Sequence, residues 1–141
     1  MGKNIDWSNL GFGYVKTDYR YVSNFKNGAW DEGTLSTDDM VTISECACVL
    51  QYAQTVFEGM KAYTTEDGRI VVFRPDLNAE RMVNSAKRLE MPPFPVDKFV
   101  QAVTDTEKAN NYYGKSVNYT SANGVTAVSY THLTLPTTSR V

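Results

Sequence analysis

The residues in this sequence with the clearest chemical potential are four arginines that follow a segment rich in tyrosine, phenylalanine and glycine. The aromatic segment covers about residues 50–63, and the arginines are Arg69, Arg74, Arg81 and Arg88. A guanidinium group can hold a phosphate through two parallel hydrogen bonds, and a nearby glycine lets a ligand approach the backbone. The combination suits a phosphate-bearing cofactor. Residue type alone does not select one arginine, and the alternative for each is a solvated surface charge.

Other catalytic chemistries find little support in the sequence. Neither common form of glycine-rich phosphate loop occurs, and the single histidine, His132, belongs to no Ser/His/Asp pattern. Cys46 and Cys48 are separated by one residue, whereas zinc and redox sites usually have a two-residue spacer. We interpret these cysteines as buried or half-buried thiols, and the sequence predicts no metal site.

Composition and charge narrow the class of protein. The chain has 141 residues, of which 42% are hydrophobic and 21% charged, which is typical of one globular domain. Its 14 basic and 16 acidic residues give a net charge of -2 and no electrostatic footprint for nucleic acid. No apolar run reaches the roughly 18 residues of a membrane span, and the first residues lack a secretory signal. We therefore expect a cytoplasmic protein with neither nucleic acid nor membrane as a partner.

Two hairpins must position the arginines and the aromatic segment. The side chains of residues 18–25 alternate between two faces, the pattern of a strand. Asn27-Gly28 favours a tight turn, and Ala29-Trp30 begins the returning strand. A second pair of strands is predicted at residues 60–64 and 70–73, joined by a turn at Glu66-Asp67-Gly68. We expect the strand at 70–73 to be buried.

Three helices are predicted beside these hairpins. The first covers residues 44–54 with Ser44 as its cap, the second runs from Leu77 to Leu89, and the third from Val96 to about Ala109. The second helix has an apolar stripe formed by Met82, Ala86 and Leu89. Hairpins followed by helices predict an α+β fold of two layers, an antiparallel sheet with helices on one side.

Three motifs in a fixed order carry a family resemblance. The first is LGFG at residues 10–13, with Thr17-Asp18 and Trp30-Asp31 after it; the second is LQYAQTVFEGMKAY at residues 50–63. The third is FRPDLNAERM at residues 73–82, which continues to Leu89. Over about residues 8–108, the sequence resembles the branched-chain amino acid aminotransferases. These are class IV aminotransferases, pyridoxal phosphate (PLP) enzymes of fold type IV.

The resemblance implies both a fold and a set of site residues. The fold would be the small N-terminal domain of the D-amino acid aminotransferase-like PLP enzymes. Arg81 matches the arginine that grips the PLP phosphate, and its place near the predicted start of a helix would favour an anion. Phe57 and Tyr52 match aromatic walls of the substrate side-chain pocket, to which Phe12 also contributes. Gly59 would keep the floor of that pocket open.

The resemblance also implies a reaction. The amino group of leucine, isoleucine or valine would be transferred reversibly to 2-oxoglutarate, with PLP as the electron sink, in a homodimer whose subunits share Tyr52. In the family, the lysine that holds PLP lies beyond residue 141, and neither Lys61 nor Lys87 matches it. No catalytic residue is therefore assigned. We expect this chain to be an N-terminal fragment that is inactive alone.

Two alternatives to this function are open. One is another fold type IV enzyme, a D-amino acid aminotransferase or an aminodeoxychorismate lyase. Those relatives lack the leader from Phe12-Gly13 to Thr17-Asp18, which argues against them. The other is a non-catalytic α+β interaction module that uses its tyrosines as a binding face.

The end of the chain breaks the pattern. Residues 1–109 fit the small domain, but residues 110–141 show no periodic stripe. The family's Tyr-x-Arg strand is also missing, because Tyr119 is followed by Thr120 and Ser121 and no arginine appears before Arg140. We interpret residues 110–141 as a divergent or frameshifted tail, an artefact of a truncated gene.

Overall fold

The computed structural model describes residues 16–60 and 62–110. Phe12 and residues 111–141 lie outside this range, so the expectations for the leader and the tail are not addressed by it. The elements follow one another along the chain as β1 (Arg20–Val22), β2 (Phe25–Lys26), β3 (Ala29–Trp30), β4 (Thr34–Ser36), α1 (Cys48–Tyr52), β5 (Ala62–Thr64), β6 (Ile70–Val72), α2 (Pro75–Arg88) and α3 (Val96–Ala109).

Both predicted hairpin turns are confirmed. β2 pairs antiparallel with β3, and the turn between them has positive φ at Asn27 (52°) and Gly28 (81°). Two positive φ angles are what a tight two-residue hairpin turn requires, and asparagine followed by glycine tolerates them best. β5 pairs antiparallel with β6 around Gly68, whose φ is 81°.

The α+β class and the antiparallel pairing are confirmed, but one continuous sheet is not found in the described residues. The strands form three separate pairs: β1 with β4, β2 with β3, and β5 with β6. The predicted strand at 18–25 is broken because Ser23 and Asn24 turn toward Asp31. The Asp31 carboxylate accepts hydrogen bonds from the Ser23 hydroxyl (2.9 Å) and from the Asn24 backbone N–H (3.0 Å). Such side-chain bonds to the backbone compete with strand pairing.

Strand β6 is also more exposed than predicted. Val71 is exposed, and Ile70 and Val72 are only half-buried. A strand in a two-stranded ribbon is covered on at most one face, so its apolar sequence does not make it a buried central strand.

The core lies between the two long helices. Ala79, Met82 and Ala86 are the buried residues of α2, at spacings of three and four, which place them on one face of the helix. They form one cluster with Phe99 and Val103 of α3 and with the buried residues Val56, Met91 and Phe94. Pro75 ends the preceding strand region and occupies the first turn of α2, where its missing N–H costs nothing.

The helix ends differ from two sequence expectations. Helix α1 begins after Ala47 rather than Ser44, and the Ser44 hydroxyl instead accepts a bond from the Cys46 backbone N–H (3.2 Å). Leu89 follows the last residue of α2 and is exposed, so it is not part of the buried stripe. The bounds of α3 are confirmed.

Asn110 clamps the start of the described chain to the end of α3. This buried side chain accepts a hydrogen bond from the Tyr19 backbone N–H (3.1 Å) and donates to the carbonyl oxygens of Tyr19 (3.0 Å) and Thr106 (2.9 Å). One amide thus satisfies three backbone groups on two elements.

We expect Asn110→Ala to lower the free energy of unfolding by about 1–3 kcal/mol, because it removes three hydrogen bonds, two of them to Tyr19, and takes the side-chain acceptor from the Tyr19 backbone N–H. Urea titration of the purified chain measures the change. Asn84→Ala on the exposed face of α2 is the matched control and should change stability by less than about 0.5 kcal/mol. An equal effect of the two substitutions would contradict the clamp.

Candidate functional site

The segment 53–60 connects α1 to β5 and places the central residues of the site. Gln54 ties it to the end of α2, because its side-chain amide donates to the Leu89 carbonyl oxygen (2.6 Å). From there the side chains alternate: Val56 is buried in the core, Phe57 is exposed, and Glu58 is buried again with 6% of its side chain accessible. The segment therefore fixes Glu58 against α2.

Arg81 reaches this segment from the middle of α2. It lies six residues after Pro75, the first residue of the helix. The prediction that Arg81 lies near the helix start is therefore wrong, because the helix begins two residues earlier than its apolar pattern indicates. The helix dipole acts mainly within the first turn. Any anion at Arg81 would be held by the side chain and not by the helix terminus.

A two-point ion pair joins Arg81 to Glu58. The Nε of Arg81 donates to Oε2 of Glu58 (2.8 Å), and its Nη2 donates to Oε1. This hydrogen bonding and the charge of Glu58 raise the pKa of the Arg81 guanidinium above its ordinary value, so Arg81 stays protonated. The Arg81 side chain is 64% exposed, which leaves the rest of the guanidinium open to a ligand.

Asn78 completes the cluster from the preceding turn of α2. Its side-chain amide donates to Oε1 of Glu58 (3.0 Å) and to the carbonyl oxygen of Gly59 (2.9 Å). The backbone N–H of Gly59 also donates to Oε1 of Glu58 (3.1 Å). Arg81 and Gly59, two of the residues predicted for the site, are thus brought together through Glu58 and Asn78.

The other candidate arginines are held differently. Arg69 pairs with Asp67 (2.7 Å) and Arg74 with Asp76 (2.6 Å), each a neighbour two residues away in the chain. Those two carboxylates are 57% and 42% exposed, whereas the partner of Arg81 is buried. Arg88 is exposed and makes no ion pair with any residue that the structure describes. Arg81 is therefore the one of these four arginines that a buried, distant carboxylate anchors.

Two of the aromatic residues predicted to line the pocket, Tyr52 and Phe57, are exposed. Tyr52 ends α1 and Phe57 lies next to Glu58, and both rings are exposed. A methyl group added at Gly59 would lie 3.6 Å and 3.8 Å from two ring carbons of Phe57, which is ordinary contact. A methyl group at this position would therefore fit against the Phe57 ring without a clash. Within residues 16–60 and 62–110, no hydrogen bond joins Tyr52 to Arg81 or to Gly59.

The described part of the chain holds no group of three or more His, Cys, Asp or Glu that could bind a metal ion. Of the two thiols, Cys48 is half-buried as expected but Cys46 is exposed, because it lies in the turn that precedes α1 rather than in the helix. Nor does any helix in this part of the chain have the length and apolarity needed to cross a membrane.

Sequence reasoning missed Glu58 and Asn78. Both stand inside quoted motifs, but their contacts with Arg81 and Gly59 connect positions about 20 residues apart, which local patterning does not reach. The available signal was a glutamate between Phe57 and Gly59 in an otherwise uncharged run from Leu50 to Met60. An isolated charge among apolar residues must find a partner when the segment packs.

The chemistry open to this cluster is anion binding. A guanidinium group has five N–H donors, and its fork matches two oxygens of a phosphate or carboxylate. The Glu58 pair occupies one edge of the fork and leaves the other edge exposed. A phosphate group therefore fits the exposed edge of Arg81.

Comparison with known proteins identifies the family of this domain. No protein-family model matches the chain. Over 108 residues, 77% of the chain, it is 52% identical to a branched-chain-amino-acid aminotransferase of Haemophilus influenzae and 44% identical to one of Helicobacter pylori. Over 108 residues, 76% of the chain, it is 45% identical to a methionine aminotransferase of Arabidopsis thaliana.

These matches cover only part of each relative. The chain spans 32%, 32% and 30% of the three relatives, about a third of their length. The order of motifs, the anchored Arg81 and the identities of 44–52% over three-quarters of the chain agree with one another. The matched region of this chain belongs to the branched-chain amino acid aminotransferase family.

Proposed function

We propose that this chain supplies the phosphate-binding lobe of a PLP-dependent aminotransferase. The reaction is the reversible transfer of an amino group from leucine, isoleucine or valine to 2-oxoglutarate. When bound, PLP supplies an electron sink for the electron pair released as the substrate Cα loses its proton. The residues of this lobe hold the cofactor and the substrate in place.

The observation that carries the proposal is the anchored guanidinium of Arg81. Its Nε and Nη2 are engaged by a carboxylate that is only 6% exposed, while most of the Arg81 side chain remains accessible. A pre-ordered arginine binds a phosphate without first losing its own side-chain freedom. Arg81 is thus the best of the four arginines for the phosphate of PLP.

Tyr52, Phe57 and Phe12 form the aromatic walls for the substrate side chain in this proposal, and the open space at Gly59 admits it. Aromatic side chains that are exposed together as a contiguous apolar patch often mark a binding site. Burial of a branched aliphatic side chain against such walls contributes about 1.5–3 kcal/mol. A methionine side chain is equally apolar and more flexible, so the pocket would also admit it.

The lobe works within a larger assembly in this proposal. The active protein is a homodimer in which Tyr52 reaches the site of the neighbouring subunit, and the lysine that carries PLP comes from outside this chain. The 141-residue chain alone should therefore show no transamination. Steady formation of glutamate from leucine and 2-oxoglutarate by the isolated chain would contradict the proposal that the PLP lysine comes from outside it.

A chimaeric enzyme tests the proposed function. The matched segment of the Haemophilus influenzae relative is replaced by the corresponding residues of this chain. The product is assayed for bound PLP and for amino transfer from leucine, methionine and D-alanine. The control is the same exchange with the segment of the Helicobacter pylori relative, which is 44% identical to this chain. It shows whether the host enzyme tolerates replacement of this segment.

We expect the chimaera to retain PLP and to prefer leucine over D-alanine. A preference for methionine would revise the proposed substrate but leave the proposed amino transfer unchanged. A folded chimaera that retains no PLP, while the control graft does, would refute the proposed function. Preference for D-alanine would favour the other fold type IV activity.

A further inference from the structure

Each hydrogen bond that joins the carboxylate of Glu58 to a described residue comes from an N–H donor. Oε1 accepts from the Gly59 backbone N–H (3.1 Å), from the Asn78 amide (3.0 Å) and from Nη2 of Arg81, and Oε2 accepts from Nε of Arg81 (2.8 Å). Four N–H groups on a side chain that is 6% exposed form a pocket for an acceptor-only group. A glutamine here would set its own NH₂ against at least one of these donors.

The pair leaves a defined part of the Arg81 guanidinium available. Of its five N–H groups, Nε–H and one N–H of Nη2 point to Glu58. One N–H of Nη1 and the second N–H of Nη2 are parallel and form the neighbouring edge of the fork. That edge has the geometry for two parallel bonds to phosphate oxygens. The Arg81 side chain is 64% exposed, and its hydrogen bonds to the described residues use only Nε and Nη2.

Two opposite roles for Glu58 are physically reasonable. A carboxylate that grips one edge of a guanidinium removes the freedom of a long side chain, and an anion then binds without bearing that ordering cost. A carboxylate can also compete with the anion for the same N–H groups. Glu58 and the phosphate would use different N–H groups of Arg81, so the phosphate need not displace Glu58, and ordering outweighs competition.

We propose that Glu58 is a positioning residue that orders the guanidinium of Arg81 and presents its Nη1/Nη2 edge to the phosphate of the cofactor. This inference rests on the proposed function, in which Arg81 takes that phosphate. Glu58 touches neither cofactor nor substrate in it. Its effect is on affinity for phosphate, and it acts through Arg81.

The test follows the Arg81 Nε–Hε resonance in the ¹⁵N-labelled 141-residue chain. The probe is pyridoxine 5′-phosphate, which lacks an aldehyde and so forms no covalent bond with lysines, and pyridoxine without phosphate is its control. Dissociation constants are measured for the parent chain and for Glu58→Gln, Glu80→Gln and Arg81→Lys. Glu80→Gln is the matched control, because it makes the same substitution at an exposed glutamate of α2 outside the cluster.

We expect Glu58→Gln to weaken binding of the phosphorylated probe about fivefold, the cost of ordering one long side chain. Binding of pyridoxine should not change, and Glu80→Gln should alter the affinity for the phosphorylated probe by less than about twofold. Unchanged or tighter binding in Glu58→Gln would overturn the positioning role, and tighter binding would make Glu58 a competitor.

A measurement on the parent chain needs no variant and stands even if Glu58→Gln does not fold. At saturation with pyridoxine 5′-phosphate, Nε–Hε of Arg81 should remain protected from exchange with water, because Glu58 still holds it. Loss of that protection on binding overturns the role. If the probe shifts no Arg81 resonance and Arg81→Lys keeps full affinity, the proposed function fails together with this inference.

Discussion

Replacing Arg81 with alanine should weaken PLP binding in the chimaeric enzyme by about 10- to 100-fold, because at least one charge-assisted hydrogen bond to the phosphate is lost. The expectation follows from the exposed edge of a guanidinium whose other edge is held by Glu58. The loss of affinity is measured by equilibrium dialysis against PLP, with the bound cofactor determined by its absorbance.

The matched control is Arg88→Ala, which removes the same type of side chain seven residues further along α2. Seven residues are about two helical turns, so both arginines project from nearly the same face. Arg88→Ala should leave the affinity within about twofold. If both substitutions weaken PLP binding equally, the loss comes from removing one positive charge, and Arg81 has no specific contact with the phosphate.

A second comparison separates phosphate binding from damage to the lobe. Arg81→Ala leaves the buried carboxylate of Glu58 without its cation, which destabilises the cluster irrespective of any ligand. Pyridoxal, which lacks the phosphate, binds through all contacts except those to phosphate. The affinity for pyridoxal should therefore be nearly the same in the parent chimaera and in its Arg81→Ala variant. An equal loss for pyridoxal and PLP would assign Arg81 to structure.

Replacing Phe94 with alanine should lower the free energy of unfolding by about 3–5 kcal/mol, the usual cost of a cavity where a phenylalanine was fully buried. The Phe94 side chain is 2% exposed and belongs to the core cluster beneath α2 and α3. Its ring meets the Trp30 indole edge-on with 5.0 Å between centroids, and the indole N–H donates to the carbonyl of Pro93 (3.0 Å). The substitution thus loosens both the helices and the first hairpin.

Urea unfolding of the purified chain measures this loss as a lower midpoint at an unchanged slope. Phe73→Ala is the control of the same size, because Phe73 is 81% exposed, and it should change stability by less than about 0.5 kcal/mol. A loss below about 1 kcal/mol for Phe94→Ala would mean that the core closes without this ring.

The features that the sequence predicted well are those set by local chemistry. The Asn27-Gly28 turn follows from the positive φ angles that the two residues tolerate. The α3 bounds follow from a proline immediately before the helix and an amphipathic stripe within it. The resemblance to aminotransferases likewise rested on contiguous motifs, and the identities of 44–52% with named relatives confirm it.

Features that depend on distant contacts could not be predicted in the same way. The strand expected at 18–25 is split because the carboxylate of Asp31, six residues beyond it, recruits Ser23 and Asn24. The partner of Arg81 was not foreseen, since Glu58 is 23 residues away along the chain. The roles of Tyr52, Phe57 and Gly59 in a substrate pocket stay predictions, and so does that of Phe12.

The central claim is that Arg81 takes the phosphate of PLP through the Nη1/Nη2 edge of its guanidinium, next to the edge that Glu58 holds. A crystal structure of the chimaeric enzyme with PLP bound tests it most directly. We predict Nη1 and Nη2 of Arg81 at about 2.7–2.9 Å from two phosphate oxygens, the range of charge-assisted bonds, with Nε still on Glu58. A phosphate held by other residues, with Arg81 directed into solvent, would contradict the claim.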